Sequence, residues 1–489
     1  MRSTTAACWL IALALGACSA PSTPPRESAG PPIAAAQQLL APSVRRLSVA
    51  ELSAAASELV QGDVDLASAL PPDARQNDFS RSLTQSVDAT TLKQLDDAAR
   101  AIAAKLPLPS EVDANALVTT LASRAFRRAP TDAEVADLRA LFDAGASGRA
   151  PRDGAELVVR ALFGSPELLY ETALDSALSS DELASHLAWL VSGLPPDAEL
   201  RRAASAGELQ SGPARRQQAL RLLHDSRARF LYRRFIEEWL GLNRLRALAK
   251  SSDIAADFPS LRETMLSDTE AAIDDAFITT SGSLQALFAS GYAAPNRDGL
   301  LQQESFLATF AHEDSSAPVL RGKAVLERLL CRKLVEPSEL GIDLVLPQPD
   351  PHTTTRERFA QHAERTDCNG CHEQLDGVGF TFENFDAIGG FRSEEAGKPI
   401  DSSGHITLDG VTLTLGNSVD LSRALAASQE LEVCAARQLV RFASGTQSSA
   451  VEDDFVAATR RLPDTDRTTL IGLLLTYVEG DWFAKRSLQ

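Results

Sequence analysis

Cys368-Asn369-Gly370-Cys371-His372 is the stretch on which the reading of this chain turns. It has the form C-x-x-C-H, the c-type haem attachment signature. Two thiols three positions apart at the start of a helix both reach the vinyl groups along one porphyrin edge and form thioethers. The histidine that follows is held beneath the iron as its proximal ligand. Three other readings use the same residues. A thioredoxin-like C-x-x-C calls for a preceding strand in a βαβ unit, and none is visible upstream. A structural zinc site needs two more ligands, for which His362, Cys331 and Cys434 are the candidates. A plain disulfide is the third.

Outward from the motif, Arg356 to Ala363 reads as a helix, and Asp367 stands where it would cap a second helix starting at Cys368. Asp376-Gly377-Val378-Gly379 reads as its stop. Further on, Ile406-Thr407-Leu408 and Val411-Thr412-Leu413 flank Asp409-Gly410, a two-residue hairpin signal. Residues 418–486 return to helix. Before the motif, 334–355 is Pro- and Thr-rich extended chain.

Helix starts are legible over the first two thirds of the chain. Ser48-x-x-Glu51, Thr131-x-x-Glu134 and Ser179-x-x-Glu182 read as capping boxes, and Ser165-Pro166 as a cap followed by proline at the first helical position. The patterns predict helices near 48–60, 90–105, 113–126, 132–143, 154–164, 166–172, 180–192, 214–224, 227–241, 260–280, 300–311 and 321–333. The aromatic run Phe230, Tyr232, Phe235 and Trp239 reads as a core stripe, His186 and His224 as structural or surface residues, and Met265 as core. Ala and Leu abound, aromatics are 6 %, and strand-like alternation is rare. The expected class is mainly α: several packed helical units, a C-terminal cytochrome-c-like haem unit and a small β-hairpin. A net charge of −18 argues against nucleic acid as a partner.

The N-terminus suggests a compartment. Arg2 supplies a positive n-region, and Ala6 to Ala14 form an apolar run too short to span a bilayer. It ends in Leu15-Gly16-Ala17-Cys18, which reads as a lipoprotein signal peptidase site, with an ordinary secretory cut near Ala20 as the alternative. Lipid on Cys18, followed by Ser19, implies outer-membrane sorting in a Gram-negative cell, facing periplasm or exterior. Cys8 leaves with the leader. Cys331 and Cys434 then remain, and two leftover cysteines in an oxidising compartment most simply pair with each other. The expected units are a leader (1–17), a tether (18–44), helical units at 45–110, 111–175 and 176–315, a haem unit at 316–410 and a helical unit at 411–489.

Several stretches resemble the large planctomycete-type cytochrome-c-like proteins, also common in myxobacteria, built from a string of domains of unknown function. They include Arg45-Arg46-Leu47-Ser48-Val49-Ala50-Glu51-Leu52, Arg124 to Asp132, Ser165 to Tyr170 and Pro318 to Lys323. The most specific run is Thr354 to Phe359, then His362, the motif, Asp376, Gly379-Phe380 and Glu383 to Gly389, with Arg392 and Ile400 to Gly404. The resemblance implies a protein outside the cytoplasm that carries one covalent haem c, with no established activity. Three positions depart from the pattern: Leu375 where many relatives carry Met or Ile, Asp376-Gly377 in place of Asp-Pro, and Thr446 after Gly445 where Arg is usual. The last puts in doubt a role for that Arg on a haem propionate.

Cys368 and Cys371 are thus the thioether candidates and His372 the proximal ligand. His362 is the first candidate for the sixth position, His352 and His405 follow, and an open position is equally compatible. Asp386 and Arg392 are expected to pair and close the loop around the haem edge. Electron transfer with a partner redox protein is the first functional reading. A haem-dependent oxidoreductase, peroxidase-like or oxygen-using, and a non-redox envelope scaffold are the alternatives.

Overall fold

The computed structural model describes residues 37–488 apart from 110, 227, 291–296, 336–338, 340–349, 351 and 364–368, and without the side chains of 361–363 and 369–371. The described body, Gln38–Gln489, is mainly helical, and its strands form two-stranded sheets.

Local chemistry sets most helix starts. Ser48 caps Val49–Val60 and Glu51 reaches back to the Ser48 N–H; Thr131 with Glu134 and Ser179 with Glu182 do the same for Asp132–Ala146 and Ser180–Val191. Helices Ala89–Lys105, Ala114–Phe126, Pro151–Phe163, Gly212–Leu223, Ala228–Leu240 and Phe258–Thr280 fall where the periodicity places them. Ala198–Ser205, capped by Asp197, has no counterpart in the pattern reading.

Three segments differ. The helix expected at 166–172 ends at Leu169, and Tyr170–Ala173 is a strand paired antiparallel with Ser43–Arg46, Arg45 opposite Glu171. The tether expected to reach residue 44 is therefore shorter, because Leu40 is buried and the strand begins at Ser43. The helix expected at 321–333 is Pro318–Ala324 continued by a π-helical turn, Val325–Leu329; it ends as Cys331 takes a positive φ of 51°. The 300–311 segment is a 3₁₀ turn, Leu300–Gln302, then helix Glu304–Thr309.

Two large apolar clusters carry the body. One gathers Leu47, Leu59, Leu121, Val158 and Phe163, joining the helices of 45–110 and 111–175. The other runs from Leu183 through Trp239, Phe306 and Phe382 to Leu473. Trp189, fully buried, belongs to the first cluster, while its helix neighbours Leu187 and Leu190 belong to the second. In the aromatic stripe, Phe235 packs between Phe79 and Phe442 and Trp239 against Phe288, whereas Phe230 is exposed. Met265 is core, with Leu245, Phe258, Leu266 and Ala308.

A buried network of four charges ties the first strand to the rest. Arg45 donates from Nη1 and Nη2 to Glu51 at 2.7 and 3.0 Å and from Nε to Glu171 at 2.8 Å. Arg81 donates to Glu51 at 2.7 Å and to Glu171 at 3.2 Å. Burial alone would raise both carboxyls, but the arginines beside them hold Glu51 and Glu171 below the usual carboxylate range. Cys331 and Cys434 are joined by a disulfide, Cα to Cα 5.4 Å, across 103 residues.

Candidate haem-attachment site

The motif helix is Asn369–Gly379, preceded by helix Thr355–Ala363. Cys368 lies outside the described residues. Cys371 is helical with its side chain outside them, and the same holds for His362 on the preceding helix. The expected cap at Asp367 also falls on residues not described.

His372 is described, and it shows what the first turn presents. Its Nδ1 lies 3.3 Å from both carboxylate oxygens of Asp376, one turn later on the same face. With Nδ1 facing a carboxylate, the neutral ring carries its proton there and its lone pair on Nε2. That is the tautomer in which an imidazole ligates a metal through Nε2, with the carboxylate fixing ring orientation and raising basicity. The hydrogen bond to the Asp376 carboxylate raises the His372 pKa against the opposing effect of burial. What is described of the site fits a c-type haem in its donor chemistry: a helix-borne imidazole of the right tautomer, one position after a cysteine.

The helix ends at Gly379, the last residue of the Asp376-Gly377-Val378-Gly379 stop, and tightens into a 3₁₀ turn, Phe380–Phe382. The glycines also serve close approach. A Cβ on Gly379 would lie 2.0 Å from the Pro318 carbonyl, and one on Gly322 2.2 Å from that of Leu375, so helix Pro318–Ala324 crosses the motif helix backbone to backbone. On another side, a Cβ on Gly377 would meet the His405 carbonyl at 2.8 Å and its ring at 2.9 Å. The departure from Asp-Pro at this position makes room for the hairpin Gly404–Leu408 and Val411–Leu415.

Behind the helix, buried Arg321 donates to the carbonyls of Leu307, Phe382, Phe385 and Asp386, fixing the loop after the motif. Arg392 pairs with buried Glu383, also reaching Ser316 at 3.1 Å, and not with Asp386 as expected. Asp386 is engaged by its own loop, accepting from the Ile388 and Gly390 N–H groups at 2.9 and 2.7 Å. Burial raises the Glu383 carboxyl while Arg392 opposes the rise. Arg356 lies over the Phe380 ring at 4.3 Å.

Of the other candidates, His405 is exposed on the hairpin, beside a position five residues after His372 and so about 140° round the helix from it. His352 is exposed, its N–H on Asp350. Thr446 lies beside Arg45 and Arg81 on the wall of a cavity at the first strand. Asp376 as a partner for His372 and Arg321 as a loop clamp are absent from the sequence-based expectations. The i, i+4 spacing of His372 and Asp376 was the available signal; Arg321 had none, because its acceptors are backbone.

Four models of families described as proteins of unknown function match in tandem. They are PSD3 (DUF1587) over 45–106, PSD5 (DUF1595) over 113–172, PSD4 (DUF1592) over 178–299 and PSCyt3 (DUF1588) over 297–395. The chain belongs to the multi-domain PSD/PSCyt family of cytochrome-c-like proteins. Its PSCyt3 region holds the motif helix, the helix that crosses it at Gly322 and the loop clamped by Arg321. The boundary between the PSD3 and PSD5 regions is spanned by one apolar core. No curated protein and no solved structure matches the chain.

Proposed function

We propose that this PSD/PSCyt protein is a c-type haem protein of the cell envelope that exchanges single electrons with a partner protein. The observation that carries the reading is the motif helix with His372 Nδ1 3.3 Å from the Asp376 carboxylate, the contact that favours the metal-binding tautomer. In this reading Cys368 and Cys371 form the thioethers and His372 holds the iron, to which the haem brings one-electron chemistry when bound. Lipid on Cys18 anchors the body to the outer membrane, facing periplasm or exterior. Among the described residues no helix is long and apolar enough to cross a membrane. The charge of −18 suits a basic partner.

Protein made in a strain that matures cytochromes c is expected to show a c-type α-band that survives acid–acetone extraction and is lost in Cys368→Ser/Cys371→Ser. A colourless protein with stoichiometric zinc would sink the reading. Carbon monoxide added to the reduced protein then reports the sixth position. With His362 as distal ligand, the wild type is low-spin and inert to carbon monoxide, and His362→Ala is high-spin and binds it. An unchanged spectrum in His362→Ala removes that residue from the iron.

The carboxylate behind His372 favours a second reading, a haem-dependent oxidoreductase with an open distal site. A more basic proximal imidazole stabilises the ferric state. Asp376→Asn is therefore expected to move the reduction potential upward, by ~59 mV for each tenfold of ferric stabilisation lost. Spectroelectrochemical titration of wild type and variant checks this. Equal potentials would reduce Asp376 to a surface partner. Carbon monoxide binding to the unmutated protein separates the oxidoreductase from the carrier.

A further inference from the structure

We propose that the cavity between the first strand and the C-terminal helices is a binding site for a small organic acid, a carboxylate that also bears a hydroxyl. The cavity measures about 230 Å³. At about 10–15 Å³ of such space per water, it holds a small hydroxy acid with room to spare. Its walls come from segments far apart in the chain: Arg45 and Arg81, Glu171, His186, Tyr477 and Arg486. Exposed Pro42 and Gln447 stand on its rim, so it opens to solvent.

The polar atoms of these walls are incompletely used. Arg486 is 7 % exposed, yet among the described residues its side-chain hydrogen bonds run only from Nη1 to the carbonyls of Trp482, Phe483 and Lys485. No carboxylate among the described residues pairs with it, and its Nε has no partner among them. A buried guanidinium without a counter-ion is costly, and an anion beside it removes the cost. Arg81 offers a second unpartnered donor in its Nε. Glu171 spends Oε2 on the two arginines of the network and leaves Oε1 without a donor.

The remaining groups complete the match. His186 faces the Thr172 carbonyl through Nε2 at 2.9 Å, so that nitrogen carries the proton and Nδ1 accepts. Tyr477 is a buried residue on the wall, and its hydroxyl makes no hydrogen bond among the described residues. Two guanidinium donors, one phenol and two acceptors suit a carboxylate at one end and a hydroxyl at the other. A neutral polyol would leave the Arg486 charge unanswered. A bare carboxylate would leave Glu171 Oε1 without a donor.

The test is calorimetric titration of the full chain with L-lactate and L-malate at neutral pH, with glycerol as the neutral control. Saturable heat with either acid and none with glycerol is expected. Arg486→Met is expected to weaken acid binding at least about tenfold, the loss of a charge-assisted contact. Tyr477→Phe removes one hydroxyl and should weaken binding a few-fold while the fold, checked by circular dichroism, stays intact. That variant keeps the test decisive if Arg486→Met fails to fold. Absence of saturable heat for both acids, or binding undiminished in the variants, overturns the proposal.

Discussion

Removing the disulfide, by Cys331→Ala with Cys434→Ala, is expected to destabilise the body by about 4–5 kcal/mol. The two cysteines are 103 residues apart, and in the loop-entropy account a closed loop of ~100 residues restricts the unfolded chain by about that amount. The loop contains the motif helix, the clamped segment after it and the hairpin. The position of the bond sharpens the expectation. Cys331 follows the π-helical turn Val325–Leu329, and Cys434 is fully buried on helix Gln429–Ser444. The crossing of Gly322 over Leu375 lies outside that constraint, so the motif helix keeps its seat when the bond is gone. Thermal melts followed by circular dichroism should drop by roughly 5–10 °C in the double variant. Dithiothreitol should lower the wild-type midpoint toward the variant's and leave the variant unmoved. A wild type insensitive to reduction, melting with the variant, would show that the tertiary packing carries this joint alone.

What the sequence disclosed and what it hid divide along one physical line. Ser48, Thr131, Ser165 and Ser179 cap their helices because the capping hydrogen bond closes within three residues. The hairpin at Asp409-Gly410 is equally local. Tyr170–Ala173 is a strand because Arg45 and Glu171 meet across 126 residues, which no window of neighbours reveals. Gly379 ends the motif helix, the local meaning of glycine, while the second use of Gly377 and Gly379, admitting the His405 and Pro318 backbones, depends on chain far from them. At the site, the motif and His372 are legible, and the i, i+4 spacing of His372 and Asp376 carries the local signal of their pairing. Arg392, expected to close the loop on Asp386, pairs with buried Glu383, whose burial the sequence does not display. The cavity at Arg486 was invisible, since its walls are drawn from both ends of the chain.

The four-charge network makes the second large prediction. Glu51 is 1 % exposed and answers two guanidiniums at once, so Glu51→Gln leaves the buried Arg45 and Arg81 sharing the single charge of Glu171. Breaking a buried ion pair by neutralising one member costs about 3–5 kcal/mol, because the surviving charge has lost its compensation. Gln retains an oxygen for the Ser48 N–H, which now donates to Glu51 at 2.7 Å, so the helix cap survives and the loss reports on charge. Two controls follow. Replacing the set together, with Arg45→Met, Glu51→Leu, Arg81→Leu and Glu171→Met, should recover much of the loss, since apolar groups of similar volume need no counter-ion. The pH dependence has a definite sign. The folded state holds the Glu51 and Glu171 carboxyls below their ordinary value of 4.5. Their contribution is therefore complete above that value and is lost as the pH falls through the depressed folded values. Denaturant melts of the wild type should weaken on acidification through this window. Glu51→Gln, already lacking one of the two carboxyls, should start lower and fall less. A variant that parallels the wild type at every pH would mean that the arginines find equal partners without Glu51.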